Sequence, residues 1–297
     1  MSKPSPLPSN HPAAEPQVNG QAIQPMDRPI DQPAALTDRS DPEERAKASE
    51  TQEASVPPHV EELVGALLRH PGFASGERRF PRRVERDEGA DVAEELMAQV
   101  DRACAARSQV SARQGLPIVC SRGCSGCCEE LVLVYLPEAA AVTRYLMRPE
   151  NHAARDAFLA AFPAWQKAVG DAAVRMAECV ARGDNKGYVE RHQAQWRRRI
   201  LCAFNRDGEC AVYPVRPLAC RNAHAVETPT RCSGANVSGP PAARVEYQPL
   251  DEYLRGARTV LIAAHHAMGG DRRRPQALCE AVHRLLQSAL AAERRKA

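Results

Sequence analysis

Eight of the eleven cysteines in this sequence fall in two segments that lack helical periodicity. The first segment reads CSRGCSGCC, and its cysteines are Cys120, Cys124, Cys127 and Cys128. The second lies within residues 201–248, and its cysteines are Cys202, Cys210, Cys220 and Cys232. Thiolate sulfurs held close together repel one another unless a cation lies among them. This density of cysteines therefore predicts a metal centre to which both segments contribute ligands.

Disulfide bonds are the alternative use for so many cysteines. Eleven is an odd count and cannot pair completely. The chain begins MSKPSPLPSNHP, with prolines where a secretion signal would need an apolar stretch, so we expect a cytoplasmic protein with reduced thiols. No apolar run approaches the ~20 residues of a membrane span, so we expect no membrane partner. The expected compartment and the odd number of cysteines both favour metal binding over disulfide bonds.

The spacing inside the first segment suggests how its sulfurs are used. Cys-x2-Cys lets two sulfurs turn back onto one ion, and Gly123 and Gly126 supply the permissive backbone that such a turn needs. The adjacent side chains of Cys127 and Cys128 are expected to point apart. That geometry predicts either two neighbouring ions or one polynuclear cluster.

The second segment carries two arginines beside Cys220. Arg216 and Arg221 could offset the negative charge of a thiolate site and donate hydrogen bonds to sulfur, although both could equally be surface residues. His224 could replace one cysteine as a ligand, or it could be a polar loop residue. Three further cysteines sit in alanine-rich helical patterns and are expected to be packing residues: Cys104, Cys179 and Cys279.

Other chemistries find little support. The sequence has no phosphate-binding glycine loop, no nucleophile elbow and no paired-carboxylate signature. Glu129 and Glu130 are expected to be solvated, and Asp207 with Glu209 to form a turn beside Cys210. The formal net charge is only +3, and the arginine runs 197–199 and 272–274 lack interleaved aromatics. A nucleic-acid partner is therefore not expected.

The elements that position the cysteines are expected to be helices. Residues 1–57 hold 10 of the 24 prolines and no aromatic or cysteine, which predicts a disordered tail. Residues 58–297 are expected to form one mainly α-helical domain in which two irregular Cys-rich loops clamp the metal centre, with little β structure. The short apolar run ELVLVYL is β-like, and a capping box at Asp91 and Glu94 marks one helix start. The helices are predicted at 60–72, 91–115, 137–147, 152–182, 185–198, 249–268 and 275–293.

Over residues 115–235, the order of these features resembles the YkgJ-type CxxCxxCC family of zinc- or iron-chelating proteins. That family has a Cys-rich turn followed by the motif C-x-I/V-Y-x-x-R-P-x-x-C-R. The residues that match the motif are Cys210, Val212, Tyr213, Arg216, Pro217, Cys220 and Arg221. One departure is the first spacing, where three residues separate Cys120 from Cys124 and two are usual.

The first hypothesis is a zinc- or iron-chelating protein whose multi-thiolate centre uses all eight cysteines. Cysteine modules related to this one also occur in flagellin lysine methylases, which implies an alternative: an iron–sulfur enzyme or electron-transfer protein supporting methyl transfer. A zinc-stapled interaction module is a third hypothesis. Thiolates suit mononuclear zinc, mononuclear iron and iron–sulfur clusters alike, so the sequence leaves the metal and any enzyme activity open.

Overall fold

A computed structural model of the protein describes residues 80, 82–120, 123–223, 225, 248–271 and 274–295. All of them belong to one unit of the chain, Ser55–Ala297. The tail predicted for 1–57 and the helix predicted at 60–72 lie outside the described residues. So do Cys232 and His224.

Eight α-helices make up most of the described chain. In chain order they are α1 (Arg86–Arg113), α2 (Leu136–Met147), α3 (His152–Val169), α4 (Ala172–Arg182), α5 (Asn185–Trp196), α6 (Leu218–Asn222), α7 (Gln248–Ala267) and α8 (Leu278–Arg294). Short 3₁₀ turns occur at Gly126–Glu129, Pro149–Asn151 and Tyr213–Val215.

Strands are confined, in the described residues, to two antiparallel pairs of two residues each. β1 (Leu133–Val134) pairs with β4 (Gln276–Ala277), and β2 (Asn205–Arg206) pairs with β3 (Glu209–Cys210). The prediction of a mainly α fold with little β structure is confirmed.

Helix α1 begins earlier than its predicted capping box. The side chain of Glu88 accepts a hydrogen bond from the backbone N–H of Glu85 at 3.0 Å, so the first turn forms there. Asp91 and Glu94 instead hold Arg144 of α2, at 2.7 Å and 2.9 Å. The capping-box assignment was therefore wrong, because these carboxylates serve a contact between helices that lie far apart in sequence.

The single helix predicted over 152–182 is two helices. Gly170 ends α3 with a φ of 58°, and α4 begins two residues later. A positive φ is accessible to glycine at little cost, so one glycine inside a helical pattern suffices to break it. Pro137 is the second residue of α2, close to its predicted place.

Two apolar clusters build the core, and α2 contributes to both. The first cluster joins α1, α2 and α7 and includes Cys104. The second joins α2, α3, α4 and α8 and includes Cys279. Cys179 is also buried, so all three cysteines assigned to packing are enclosed. No helix of the described chain is long and apolar enough to cross a membrane.

The second Cys-rich segment is anchored in the second cluster by an aromatic stack. Phe204 is 1% exposed, and its ring lies 4.1 Å from the ring of Phe158 in α3, at an interplanar angle of 12°. Val212 and Val215 are buried beside it. Burial of a phenylalanine contributes roughly 1.5–3 kcal/mol, so this contact holds the segment firmly against the helices.

Candidate metal centre

The two Cys-rich segments lie against each other and are joined by backbone hydrogen bonds. The N–H of Cys202 donates to the carbonyl of Cys128 at 2.8 Å, and the N–H of Val119 donates to the carbonyl of Ala225 at 3.0 Å. The segments also approach closely at two glycines. A Cβ added to Gly208 would lie 3.7 Å from the carbonyl oxygen of Gly123. The helical frame therefore brings together segments about 70 residues apart in sequence.

Glycine and turn residues shape both segments. Gly123 has a φ of +92°, as its predicted turn role requires, whereas Gly126 opens a 3₁₀ turn and does not have a positive φ. In the hairpin between β2 and β3, Asp207 and Gly208 have φ values of 49° and 88°. Two successive positive φ values match a type I′ turn, which confirms the turn predicted beside Cys210.

Five of the eight predicted ligands form one group of interacting thiols. Cys220 interacts electrostatically with Cys202, Cys210 and Cys128. Cys128 also interacts with Cys202 and Cys210, and Cys127 with Cys220. The structure thus collects sulfurs from the first segment and from three places in the second: Cys127, Cys128, Cys202, Cys210 and Cys220.

The adjacent residues Cys127 and Cys128 both lie in the 3₁₀ turn Gly126–Glu129. Their mutual interaction raises the pKa of Cys127 and lowers that of Cys128 to about 6. The choice between two neighbouring ions and one polynuclear cluster stays a prediction.

Burial keeps the other thiols of the group protonated. It raises the pKa of Cys210 to about 12 and raises that of Cys220 well above its usual range. Hydrogen bonding with Cys279 and burial together raise the pKa of Cys202. Neighbouring thiols act in the same direction, because adjacent thiolate charges repel. A bound cation would reverse this balance, since thiolate ligation releases the protons.

The other predicted ligands have different surroundings. The sulfur of Cys120 accepts a hydrogen bond from the N–H of Ala225 at 3.0 Å. Cys124 is half-buried between Gly123 and the 3₁₀ turn. Cys232 lies outside the described residues, so its predicted role stays a prediction.

Arg221 makes its hydrogen bonds to oxygen rather than to the sulfurs that we predicted. Its guanidinium donates to the carbonyl of Arg216 at 2.7 Å, to the carbonyl of Pro214 and to the carboxylate of Asp101. The residue is 4% exposed. Arg221 therefore links the loop before Cys220 to helix α1, and it shapes the segment that carries the sulfur.

Arg216, unlike Arg221, acts on one of the thiols of the group. Its guanidinium stacks over the ring of Tyr213 at 4.1 Å, and its charge opposes the rise in the pKa of Cys210. Its buried Nε has no hydrogen-bond partner among the described residues. This positive charge is in position to compensate a thiolate, as the sequence suggested.

Asn205 is a residue of the site that sequence reasoning missed. Its side-chain oxygen accepts from the N–H of Gly208 at 3.3 Å, and its amide lowers the pKa of the Cys128 thiol. Its buried Nδ2 has no partner at hydrogen-bond distance in the described part of the chain. An asparagine before an Asp-Gly turn is typical of a turn residue, so the sequence offered no signal for a contact with sulfur.

The two carboxylates after the first segment are not simply solvated, contrary to expectation. Glu129 is 7% exposed and accepts a hydrogen bond from Arg199 at 3.0 Å. Glu130 lies 3.8 Å from His192, and its charge contributes to the raised pKa of Cys127 and of Cys220. Glu130 therefore adds a negative group beside the thiols.

Two cavities are lined in part by residues of the second Cys-rich segment. One, of about 540 Å³, is lined by residues of the β2–β3 hairpin and includes Cys210 and Tyr213. The other, of about 450 Å³, includes Leu218 and Ala219, which directly precede Cys220, together with Glu138 and Arg258. Both volumes are in the range of small-molecule sites.

The sulfur donors are of the type that a soft metal ion prefers, but those that the structure describes are not arranged as a metal site. Sulfur is the preferred donor for zinc, iron and iron–sulfur clusters. In the described residues, however, no group of three or more His, Cys, Asp or Glu side chains is arranged to hold a metal ion. In comparisons with family models, with curated proteins and with solved structures, nothing matched this chain.

Proposed function

We propose that this protein is a zinc- or iron-chelating protein with a multi-thiolate centre. The observation that carries the proposal is the group of five interacting thiols, which come from two segments about 70 residues apart and are tied together at Cys202 and Cys128. Burial and the neighbouring thiols raise the pKa of Cys210 and of Cys220, and a bound cation would stabilise these sulfurs as thiolates. The resemblance to YkgJ-type proteins over residues 115–235 supports the same conclusion.

The proposed ligands are the five thiols of the group, completed by Cys120, Cys124 and Cys232. The metal would compensate the thiolate charge, and Arg216 would offset part of what remains. We further propose a cytoplasmic location, where reduced thiols are maintained. Because metal binding would couple to folding, the two segments should lose order without the ion while much of the helical frame persists.

The test is metal analysis and optical spectroscopy of protein purified without oxygen. We expect stoichiometric zinc or iron in the wild type and in Cys179→Ala, which alters a buried cysteine of α4 outside the group. Cys220→Ala should lose most of the metal. Wild-type protein that carries no metal, and whose hydrogen exchange does not change on addition of a chelator, would contradict the proposal.

An iron–sulfur enzyme is the second candidate, and the 540 Å³ cavity that Cys210 lines favours it. A site for a small substrate next to a thiol is what such an enzyme needs, and Glu209 and Tyr213 supply polar groups in its wall. Broad visible absorption that bleaches on reduction would support a cluster. A colourless protein with bound zinc would exclude it.

A further inference from the structure

A sixth thiol contacts the group from a helix that sequence reasoning assigned to packing. The sulfur of Cys279 lies 3.7 Å from the sulfur of Cys202. Cys279 is 2% exposed and is the second residue of α8. Cys202 in turn interacts with Cys128, and its backbone N–H is bonded to the carbonyl of that residue.

The separation of the two sulfurs suits a shared ion. In a tetrahedral thiolate site the metal–sulfur distance is about 2.3 Å, which places neighbouring sulfurs about 3.8 Å apart. Cys202 and Cys279 are already at that spacing. Two thiols need no large movement of either side chain to occupy two corners of such a site.

The start of helix α8 positions Cys279. The residue lies in the first turn of this 17-residue helix. The start of α8 is fixed by the pairing of Ala277 with Leu133, and by the N–H of Leu278, which donates to the carbonyl of Val132 at 2.9 Å. Residues 132 and 133 follow the first Cys-rich segment closely, so this strand pair holds Cys279 beside the centre.

We propose that Cys279 is a further metal ligand, which shares one soft divalent cation with Cys202. This inference rests on the proposed function. On binding, the thiols of Cys202 and Cys279 each release one proton to solvent, and the cation takes the place of both protons between the sulfurs. No electron is transferred in this step.

The test is titration of the reduced, metal-free, full-length protein with Zn²⁺ and, as a spectroscopic probe, with Co²⁺. Cys279→Ala and Cys202→Ala should each weaken Zn²⁺ binding by at least about tenfold and reduce the sulfur-to-cobalt charge-transfer absorption. The double variant should lose little more than either single variant, because both remove ligands of one ion. Cys179→Ala should match the wild type. Cys279→Val, which fills the buried space without a donor, repeats the measurement should the alanine variant unfold.

The outcomes separate the inference from the proposed function. Wild-type binding that is lost in Cys202→Ala and intact in Cys279→Ala and Cys279→Val would make Cys279 a packing residue and leave the proposed function standing. Wild-type protein that binds neither Zn²⁺ nor Co²⁺ would overturn both. A Cys202–Cys279 disulfide in protein that was purified without oxygen and binds metal fully would also overturn the inference.

Discussion

The free energy of unfolding of this protein should decrease as the pH rises from 5 to 8, because of one buried carboxyl group. Glu138 is 4% exposed and lies in the first turn of α2. It accepts hydrogen bonds from the N–H groups of Tyr135 and Leu218, both at 3.1 Å, so it joins α2 to the short helix that carries Cys220. Burial outweighs these two bonds and raises the pKa of Glu138 from 4.5 to about 7.

The sign of the effect follows from proton linkage. The folded state holds the proton on Glu138 more tightly than the unfolded state does, so the stabilisation is complete below pH 4.5 and is lost as the pH rises through 7. The difference between the folded and unfolded pKa values corresponds to about 3 kcal/mol in total. Most of it, about 2–3 kcal/mol, falls between pH 5 and pH 8.

Glu138→Gln removes this titration and keeps the shape of the side chain. Urea unfolding of reduced protein at pH 5, 6.5 and 8 should show that the variant gains about 2–3 kcal/mol relative to the wild type across this range. The histidines titrate in both proteins and cancel in the comparison. Glu150→Gln, at an exposed position, should follow the wild type at every pH. If Glu138→Gln and the wild type show parallel pH dependence, the buried carboxyl is not responsible and the reasoning is refuted.

Three further predictions concern the anchoring of the Cys-rich segments. Phe204→Ala should lower the free energy of unfolding in urea by about 3–5 kcal/mol. The control Leu201→Ala, at a residue 46% exposed, should stay within about 0.5 kcal/mol of the wild type. Equal losses in the two variants would contradict the anchoring role of the aromatic stack. Gly208→Ala should lower the free energy of unfolding by about 1–2 kcal/mol, because Gly208 has a φ of +88°. The control Gly256→Ala, inside a helix with open space around it, should be neutral or stabilising by up to about 1 kcal/mol. A neutral Gly208→Ala would show that the turn can rearrange. Arg221→Gln should speed hydrogen exchange across residues 213–222, since it leaves buried carbonyls without their donor; unchanged exchange would mean that the loop is held by other contacts.

The helical frame was largely predictable, most clearly in α7 and α8, whose apolar residues recur at helical spacing. Helices α5, α7 and α8 lie within three residues of their predicted bounds. The errors arose where a local pattern competes with tertiary contacts or with a single residue. Gly170 breaks a continuous pattern, and Asp91 with Glu94 matches a capping box but pairs with Arg144.

The candidate site was predictable in composition and only partly in arrangement. Cysteine density indicated that the two segments meet, and five of the eight predicted thiols do interact. The contact between Cys202 and Cys279 could not be read from the sequence, because it depends on how α8 packs against a loop 77 residues away. A cysteine inside an apolar stripe looks the same whether it faces a leucine or another sulfur.

The backbone hydrogen bond between Cys128 and Cys202 has a consequence for synthesis of the protein. These residues are separated by 74 positions, and helices α2 to α5 lie between them. At about 5–20 residues per second, a ribosome needs roughly 4–15 s to supply the second partner after the first. During that interval the nascent chain presents Cys120, Cys124, Cys127 and Cys128 without the sulfurs of the second segment. The order of translation thus creates a short period in which four closely spaced thiols must be protected from oxidation and from the wrong metal.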